Sequence, residues 1–549
     1  MSSSLPPSGP SGGPEYLEQG GGAPYQPGAG RSRDLRPLII GGALVGGLAV
    51  AGGAAWAAMS FLSTGAQPAE ALPASTLGYA SIDLDPAGGQ KIEAVRTLNK
   101  FPAFKDQLNL DTDDDIRKRI FDEIQGGEGA CANLDYEDDV ASWLGNRAAA
   151  AAVDLGDEAP VFVAVVQVTD ADAAEEGLVK IADCAGSGDA NRPEEMPGGG
   201  FAVAGDWAVL AENDDVAGRV VAATEQGSLA DDTDYQTWTE RAGDPGIVSM
   251  YASPDAAKAI FDGADALLPM AGLDPALESS DADPGQAMQD AFEKFEGMAA
   301  TIRFDGGAVE LETAGGFGLQ TTSFYGTDRG DDTMATLPAD TVAAFGMGFE
   351  DGWLSQVVKQ FAGAMGDDMT VEELFDELST QTGLDVPADV ETLTGESAVL
   401  AIGAGFDAET FMNSGDGSDI PVGIKVKGDP AAIETVLDKL RPQMGSETSF
   451  IDTDAEGDMI AIGPDAEYRA GLLKAGTLGE SDTFKDVIRE AERAGVVFYL
   501  DFDASDDWLV ELAGDDPEAA ENLAPLSAVG MSAWQEDGIA HGVARVTTD

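Results

Sequence analysis

The chain has 549 residues, of which 43% are hydrophobic, and its formal net charge is −70 at pH 7. A surface with that charge repels nucleic acid and anionic lipid headgroups, so neither is expected as a partner. Two cysteines and a single histidine cannot supply the usual ligands of a structural zinc site.

The N-terminal segment 1–36 is rich in glycine and proline and has few apolar side chains. Such a segment cannot bury enough surface to offset the entropy that it would lose on ordering. We therefore predict a disordered tail over residues 1–36.

An uncharged run follows from Pro37 to Leu62. As a helix it would be ~39 Å long at ~1.5 Å per residue, enough to cross a hydrocarbon core of ~30 Å. Arg31, Arg33 and Arg36 precede it, and basic residues are retained on the cytoplasmic side of a membrane. The sequence thus predicts a single-pass cell-membrane protein with a transmembrane helix over 37–62, a cytoplasmic N-terminus and extracytoplasmic residues 63–549.

One alternative to a membrane anchor remains open for this run: a cleaved signal peptide with a cleavage site at Ala69-Glu70-Ala71. Signal peptides, however, have apolar cores of only ~7–15 residues.

A membrane helix over 37–62 is also a candidate for self-association. Small residues form a stripe that is able to pair two membrane helices, at Gly42, Gly46, Ala49 and Gly53. Glycine and alanine are so common in this segment that composition alone also explains the stripe.

The sequence beyond the run contains an internal duplication. The matched pairs are Leu72-Pro73-Ala74-Ser75-Thr76 with Leu337-Pro338-Ala339-Asp340-Thr341, Asp139 with Asp389, Lys180 with Lys439, and Leu229–Tyr251 with Leu478–Leu500. Ordered matches over this length predict tandem domains rather than short solenoid units. We assign repeat 1 to residues 63–330, with a helical insertion at about 254–297, and repeat 2 to residues 331–549.

Strand and helix patterns alternate within each repeat. Helical spacing is present in QKIEAVRTLNKFPAFKDQL, AAIETVLDKL and DTFKDVIREAERA, whereas FAVAGDWAVLA and FIDTDAEGDMIAIG are typical of hairpins. Consecutive strands joined by short turns pair in antiparallel fashion. The predicted fold class is α+β: a single N-terminal transmembrane helix followed by two duplicated domains of antiparallel sheet with packed helices.

Several short motifs resemble those of an uncharacterised bacterial family. They are Leu72-Pro73-Ala74-Ser75-Thr76, Gly78-Tyr79, Asp83-Leu84-Asp85-Pro86, Gln90 and Phe101-Pro102. Together with the Pro/Gly tail and one membrane helix, they are similar to the domain of unknown function thirty-three fifty-two. The resemblance covers most of residues 71–549. It implies a bacterial, membrane-anchored, exported protein, and it transfers no active site.

The two cysteines, Cys131 and Cys184, both fall in the predicted exported part. Oxidising conditions outside the membrane favour a disulfide between them. In the entropy model such a bridge stabilises the fold by roughly 4 kcal/mol. The alternative is two separate buried thiols.

An alternating acidic stretch resembles the start of a calcium-binding loop. It contains Asp452, Asp454, Glu456 and Asp458 around a glycine. The terminal bidentate glutamate of such a loop is missing, because that position is Gly463. The sequence favours a simple hairpin turn here, and calcium is the metal that these carboxylates would bind if the stretch is a site. A second acidic cluster, Asp111 and Asp113 to Asp115, is typical of a helix start.

No nucleophile elbow or phosphate-binding loop is present in the sequence, and His541 stands in an ordinary strand pattern. We assign no catalytic and no cofactor-binding residue. The leading hypothesis is a non-enzymatic binding or scaffolding protein at the bacterial cell envelope, with an envelope protein or polymer as its partner. The alternative is an exported carboxylate-dependent hydrolase, which carboxyl groups of raised pKa in one repeat only would favour.

Overall fold

The computed structural model describes residues 66–83, 89–108, 115, 117–119, 121–122, 134–157, 159–187, 199–258, 294–316, 329–330, 332–362, 370–406, 420–504 and 516–549. The predicted tail, the predicted transmembrane helix and most of the predicted insertion near 254–297 lie outside these ranges. Within them, no helix combines the length and the apolar character needed to cross a membrane.

Sixteen strands of the described residues form one sheet, and every neighbouring pair is antiparallel. The strands of the first half are β1 (Thr76–Asp83), β2 (Leu144–Val153), β3 (Val161–Val168), β4 (Gly200–Ala204), β5 (Trp207–Ala211), β6 (Val248–Ala252), β7 (Gly297–Asp305) and β8 (Ala308–Gly316). Those of the second half are β9 (Thr341–Gly348), β10 (Ser397–Gly403), β11 (Val422–Lys427), β12 (Thr453–Glu456), β13 (Met459–Ile462), β14 (Val496–Asp501), β15 (Leu526–Glu536) and β16 (Ile539–Thr548).

The two halves of the sheet have the same strand order. From the outer edge inward, the first half runs β4-β5-β3-β2-β1-β6-β7-β8 and the second runs β12-β13-β11-β10-β9-β14-β15-β16. Strands β8 and β16 pair at the centre. The predicted α+β class with an antiparallel sheet is confirmed. The repeat boundaries 63–330 and 331–549 stay predictions, and the strands on either side of that division belong to one sheet.

Helices pack on both faces of this sheet. The described helices are α1 (Gly89–Leu98), α2 (Pro102–Leu108), α3 (Tyr136–Asp139), α4 (Ala171–Ser187), α5 (Asp214–Thr224), α6 (Thr233–Arg241), α7 (Trp353–Ala362), α8 (Val371–Thr382), α9 (Ala388–Thr394), α10 (Pro430–Met444), α11 (Ala466–Leu473), α12 (Asp482–Val487) and α13 (Pro517–Leu523). On one face, α5 and α6 cover the first half, and α11 and α12 cover the second. On the opposite face, α4 packs near β3 and α10 packs near β11.

Helix α12 is shorter than its sequence pattern predicts. Ser481 caps it by accepting a hydrogen bond from the backbone N–H of Phe484 (3.1 Å), but the helix ends at Val487. Ile488 is extended and buried in the core, where Gly530 leaves room for it. A Cβ at Gly530 would lie 2.6 Å from Cδ1 of Ile488. Burial of this side chain therefore overrides the helical propensity of the residues that follow.

One ion pair occurs at equivalent places in both halves. Asp139 contacts Lys180 at 2.6 Å in the first half, and Asp389 contacts Lys439 at 2.5 Å in the second. In both cases the carboxylate also accepts a backbone N–H from four residues earlier. The backbone hydrogen bond from Asp135 and the side-chain hydrogen bond from Lys180 lower the pKa of Asp139. The pair ties the short helix before β2 or β10 (α3 or α9) to the helix after the next strand (α4 or α10), so the matched residues have a structural role.

A buried ion network holds the two halves together at the centre of the sheet. Arg545 of β16 is 2% exposed and forms an ion pair with Glu310, its cross-strand partner on β8. Arg545 also contacts the carboxylate of Asp305 at 3.0 Å and donates to the carbonyl of Asp486 at 2.7 Å. Arg303 binds the second oxygen of Glu310 at 2.6 Å. Each buried charge of this network therefore lies next to an opposite charge, which offsets the cost of removing it from water.

Candidate functional site

A row of large apolar side chains crosses five strands of the second half. Its members are cross-strand partners on β11, β10, β9, β14 and β15: Ile424, Leu400, Phe345, Phe498 and Met531. Ile424 is 39% exposed, Leu400 45%, Phe345 41% and Met531 44%. These strands lie inside the sheet rather than at its edge. The row therefore presents apolar surface to solvent where one face of a sheet would normally be covered or polar.

Two flanking rows, two residues away along each strand, are also apolar. One consists of Val426, Ala398, Met347, Val496 and Ala533, and the other of Val422, Ile402, Ala343, Leu500 and Val529. Of these flanking residues only Val426 is fully buried. We call these three rows of five positions the apolar face. It contains no charged residue, hydroxyl or amide side chain.

The apolar face has the size of a functional patch. Five strands at ~4.8 Å spacing and five residues at ~3.4 Å rise outline about 24 by 17 Å, or ~400 Å². One corner of this outline, Val426, is buried against Ile433 and Leu437 of α10, so ~400 Å² is its upper bound. Soluble monomers rarely expose contiguous apolar patches much above a few hundred Å², and such patches mark binding sites. The apolar face is the candidate site that the described residues favour.

The first half carries smaller side chains at the equivalent positions. Its central row is Ala164, Ala150, Ala80, Met250 and Ala300. Helix α1 packs beside this row, with Ala94, Val95 and Leu98 against Phe304 and its neighbours. Helix α7 follows β9 as α1 follows β1, but its Leu354 and Val358 pack against the cluster of α8 and α10. The two halves therefore differ in what covers this side of the sheet.

Behind the apolar face, on the other side of β11, lies a buried lysine. Lys425 is 2% exposed, and its Nζ donates to Oγ1 of Thr336 at 2.7 Å and to the Thr336 carbonyl at 3.2 Å. Burial lowers the pKa of Lys425 to about 8. The equivalent residue of the first half, by strand register, is the buried Val165. Lys425 is thus a feature of the second half alone.

The predicted calcium ligands lie on the β12–β13 hairpin at the sheet edge. The carboxylate of Asp454 accepts from Nε of the buried Arg469 at 2.9 Å, and Gly457 makes the turn with φ 65°. Among the residues that the structure describes, no group of three or more acidic, histidine or cysteine side chains is arranged to hold a metal ion. The geometry therefore gives Asp452, Asp454, Glu456 and Asp458 no support as a calcium site, and that site stays a prediction.

The second acidic cluster is described only at Asp115. Its carboxylate accepts from Nε of Arg117 at 2.9 Å and from the hydroxyl of Tyr136 at 2.7 Å. Burial opposes the charge of Asp115, but these hydrogen bonds outweigh it and lower the pKa. The remaining aspartates of the cluster, together with Cys131 and the side chain of Cys184, lie outside the described residues, so the disulfide stays a prediction.

The single histidine lies in β16, within the sheet. The ring of His541 stacks on Trp534, with ring centroids 5.3 Å apart and an interplanar angle of 5°, and burial lowers its pKa. Arg493 lies 4.9 Å from the Trp534 ring on a cation–π contact. None of these contacts supplies the hydroxyl or thiol that histidine would activate as a nucleophile.

Raised carboxyl pKa values would favour the hydrolase alternative, and two described groups have them. Burial raises the pKa of Glu312, but this carboxylate is an ion-pair partner of Arg303 in the central network. Burial, together with Asp549 and Asp501, raises the pKa of Asp503 after β14. Glu312 lies on β8 and Asp503 follows β14, so the two raised pKa values occur in different halves of the sheet rather than in one repeat only.

The sequence analysis missed the apolar face. The signal was present in the strands VAAFGMGF and AVLAIGAG, in which neither the odd nor the even positions include a charged residue, so neither face of the strand is charged. Such strands are typical of sheets covered on both faces. A second covering layer over this part of the sheet would have been the corresponding prediction. Among the described helices, α10 supplies that layer only at Val426 and Ala398, and the exposed central row points to a binding surface.

Comparison with known proteins places the chain in a family. It belongs to the proteins of unknown function (DUF3352), whose family profile matches residues 38–441. The family resemblance of the sequence motifs is thereby confirmed. No curated protein matches the chain, and no solved structure matches it. The matched residues include three of the five strands of the apolar face, namely β9, β10 and β11, and end within α10.

Proposed function

We propose that this protein is a non-enzymatic binding protein, anchored in the bacterial cell membrane by residues 37–62, which binds an apolar partner on the extracytoplasmic side. The apolar face carries this proposal. Its three rows offer only hydrocarbon and thioether surface, and four of the five residues in its central row are about two-fifths exposed. A site of this composition provides affinity through burial of apolar area.

Net charge supports an uncharged partner. The protein carries −70, so an anionic partner would meet long-range repulsion before contact. The apolar face itself carries no charge that could attract a cation. The partner that fits is therefore one whose contacting surface is apolar and uncharged.

The size of the apolar face argues against a second copy of the chain. A stable protein–protein interface buries about 800 Å² on each partner, roughly twice the ~400 Å² of this surface. Two copies would also bring together two charges of −70. A smaller partner meets neither difficulty.

The binding proposal is tested with a small apolar fluorescent probe and the full chain in lipid nanodiscs. The measured quantity is the fluorescence difference between the parent and Leu400→Gln in identical nanodiscs, which cancels the background of the bilayer. Loss of ~1.4 kcal/mol of apolar contact predicts about tenfold weaker probe binding to the variant.

A matched control comes from helix α4. Val179 is 49% exposed and lies outside the apolar face, so Val179→Gln should leave probe binding unchanged. Ile424→Thr is a second test variant, since threonine is well tolerated in strands. Equal probe binding by the parent and both face variants would contradict the proposal.

The anchoring proposal has its own test. A cysteine placed at Ser63 should react with a membrane-impermeant maleimide on intact cells, and one placed at Ser8 should not. The opposite labelling pattern would overturn the orientation derived from the basic residues before the run.

A further inference from the structure

The backbone beneath the apolar face has no hydrogen-bonding capacity to offer a partner. Strands β10, β9 and β14 each pair with a neighbour on both sides, so their N–H and C=O groups are used within the sheet. The side chains of the three rows add no donor or acceptor. A polar group of a partner placed here would therefore lose its water without replacement.

This restricts the chemistry of the occupant. An extended peptide lying across the apolar face would leave its own N–H and C=O groups unpaired, which is costly for buried backbone. A hydrocarbon chain has no such groups. The central row from Ile424 to Met531 crosses four strand spacings, or ~19 Å, as one narrow strip of large side chains. That strip is suited to an extended chain of methylene groups.

Charge decides which hydrocarbon-bearing molecule fits. A free fatty acid carries a carboxylate, which a protein of −70 repels. A lipid with a zwitterionic or uncharged headgroup avoids this cost, because its headgroup remains in water while its chain is buried. The bilayer in which the chain is proposed to be anchored supplies such molecules.

We propose that the apolar face binds the acyl chain of a membrane lipid with a zwitterionic or uncharged headgroup. This inference rests on the proposed function, because it names the class of the apolar partner. The row of Ile424, Leu400, Phe345, Phe498 and Met531 contacts the hydrocarbon. The flanking rows close the apolar surroundings on either side of it.

The test uses membrane vesicles that contain the full chain and a phosphatidylcholine with a photoactivatable diazirine in its acyl chain. After irradiation, labelled peptides are identified by mass spectrometry. Label is expected on peptides that contain Phe345, Leu400 or Met531. Label in residues 37–62 would show that the probe reached the bilayer around the protein. The peptide that contains Val179 is the control for non-specific labelling of exposed apolar residues.

Two comparisons sharpen the result. In Leu400→Gln and in Ile424→Thr, labelling of the Phe345 peptide should fall about tenfold, while labelling of 37–62 stays constant. An alkylphosphocholine competitor below its micellar concentration should displace the label about fourfold better for each added methylene. A fatty acid of equal length should compete more weakly.

Each other outcome overturns the inference in a distinguishable way. If the small fluorescent probe separates the parent from Leu400→Gln but no lipid label reaches the apolar face, only the lipid assignment fails. If neither reagent distinguishes them, the proposed function fails as well. Stronger competition by the fatty acid would show that the apolar face prefers lipids with an anionic headgroup, which contradicts the assignment to zwitterionic or uncharged lipids. Self-association of the parent that Leu400→Gln abolishes would make a second copy the occupant.

Discussion

Replacing Lys425 by methionine is expected to stabilise the protein. The amine of Lys425 is buried in an apolar part of the core, and among the described residues its hydrogen bonds go only to Thr336. Burial lowers the pKa of this lysine from 10.5 to about 8. Methionine keeps the length of the side chain and removes the charge.

The size of the effect follows from the pKa shift. At ~1.36 kcal/mol per unit, the lowered pKa corresponds to a cost of ~3 kcal/mol for holding the protonated amine in the folded state. Losing the hydrogen bonds to Thr336 removes about 1 kcal/mol. Thr336 itself stays satisfied, because its hydroxyl donates to Thr333 and its carbonyl accepts from Gly476. The expected gain is about 2 kcal/mol near neutral pH.

The gain should depend on pH in a defined direction. Below a pH of about 8 the lysine is protonated in both states, so the parent carries the whole penalty. Between about 8 and ~10.4 the unfolded chain binds more protons, and the contribution of Lys425 to stability therefore rises with pH. The advantage of the methionine variant should shrink by ~3 kcal/mol across this window.

Urea unfolding of the parent and Lys425→Met, measured at several pH values from ~7 to ~10, gives the difference directly. Tyrosine titration acts on both proteins and cancels. Lys427→Met is the matched control. Lys427 lies two residues along the same strand, where a hydrogen bond to Asp332 at 2.9 Å raises its pKa. That variant should lose stability. An advantage of Lys425→Met that is constant over the whole pH range would refute the desolvation argument.

Three further outcomes are expected. Glu310→Gln should lower the free energy of unfolding by about 3 kcal/mol in urea titrations, because it leaves the buried Arg545 short of one partner; a loss below ~0.5 kcal/mol would show that the central network is dispensable. Calcium and magnesium should raise the melting temperature to similar extents by screening the net charge, whereas a saturable gain specific to calcium and lost in Asp454→Asn would establish the hairpin site instead. A non-reduced digest of protein from its native compartment should contain linked Cys131 and Cys184 peptides, and alkylation of both as free thiols would exclude the bridge.

Local patterns were enough to predict much of the fold. The hairpins β4–β5 and β12–β13 follow from alternating apolar residues around a turn glycine, since both signals lie within one short segment. The duplication placed Asp139 with Lys180, and Asp389 with Lys439, in matched positions along the chain. Their contact itself could not be predicted from sequence, because it depends on how α4 and α10 pack back against α3 and α9, which lie two strands earlier in the chain.

The assignment of sheet faces was decided only by tertiary structure. In the strand PVGIKVK, alternation alone would place Ile424 in the core and Lys425 in water. The structure has the reverse, with Ile424 39% exposed and Lys425 2% exposed. A period of two residues fixes which side chains share a face, but the helices that pack on each face decide which of the two is buried. Here α11 and α12 cover the side of Lys425, while α7 packs against other helices and leaves the apolar face open. The sequence by itself therefore determined the strands, their repeat and their net charge, and the packing of distant helices determined where an apolar partner finds a surface.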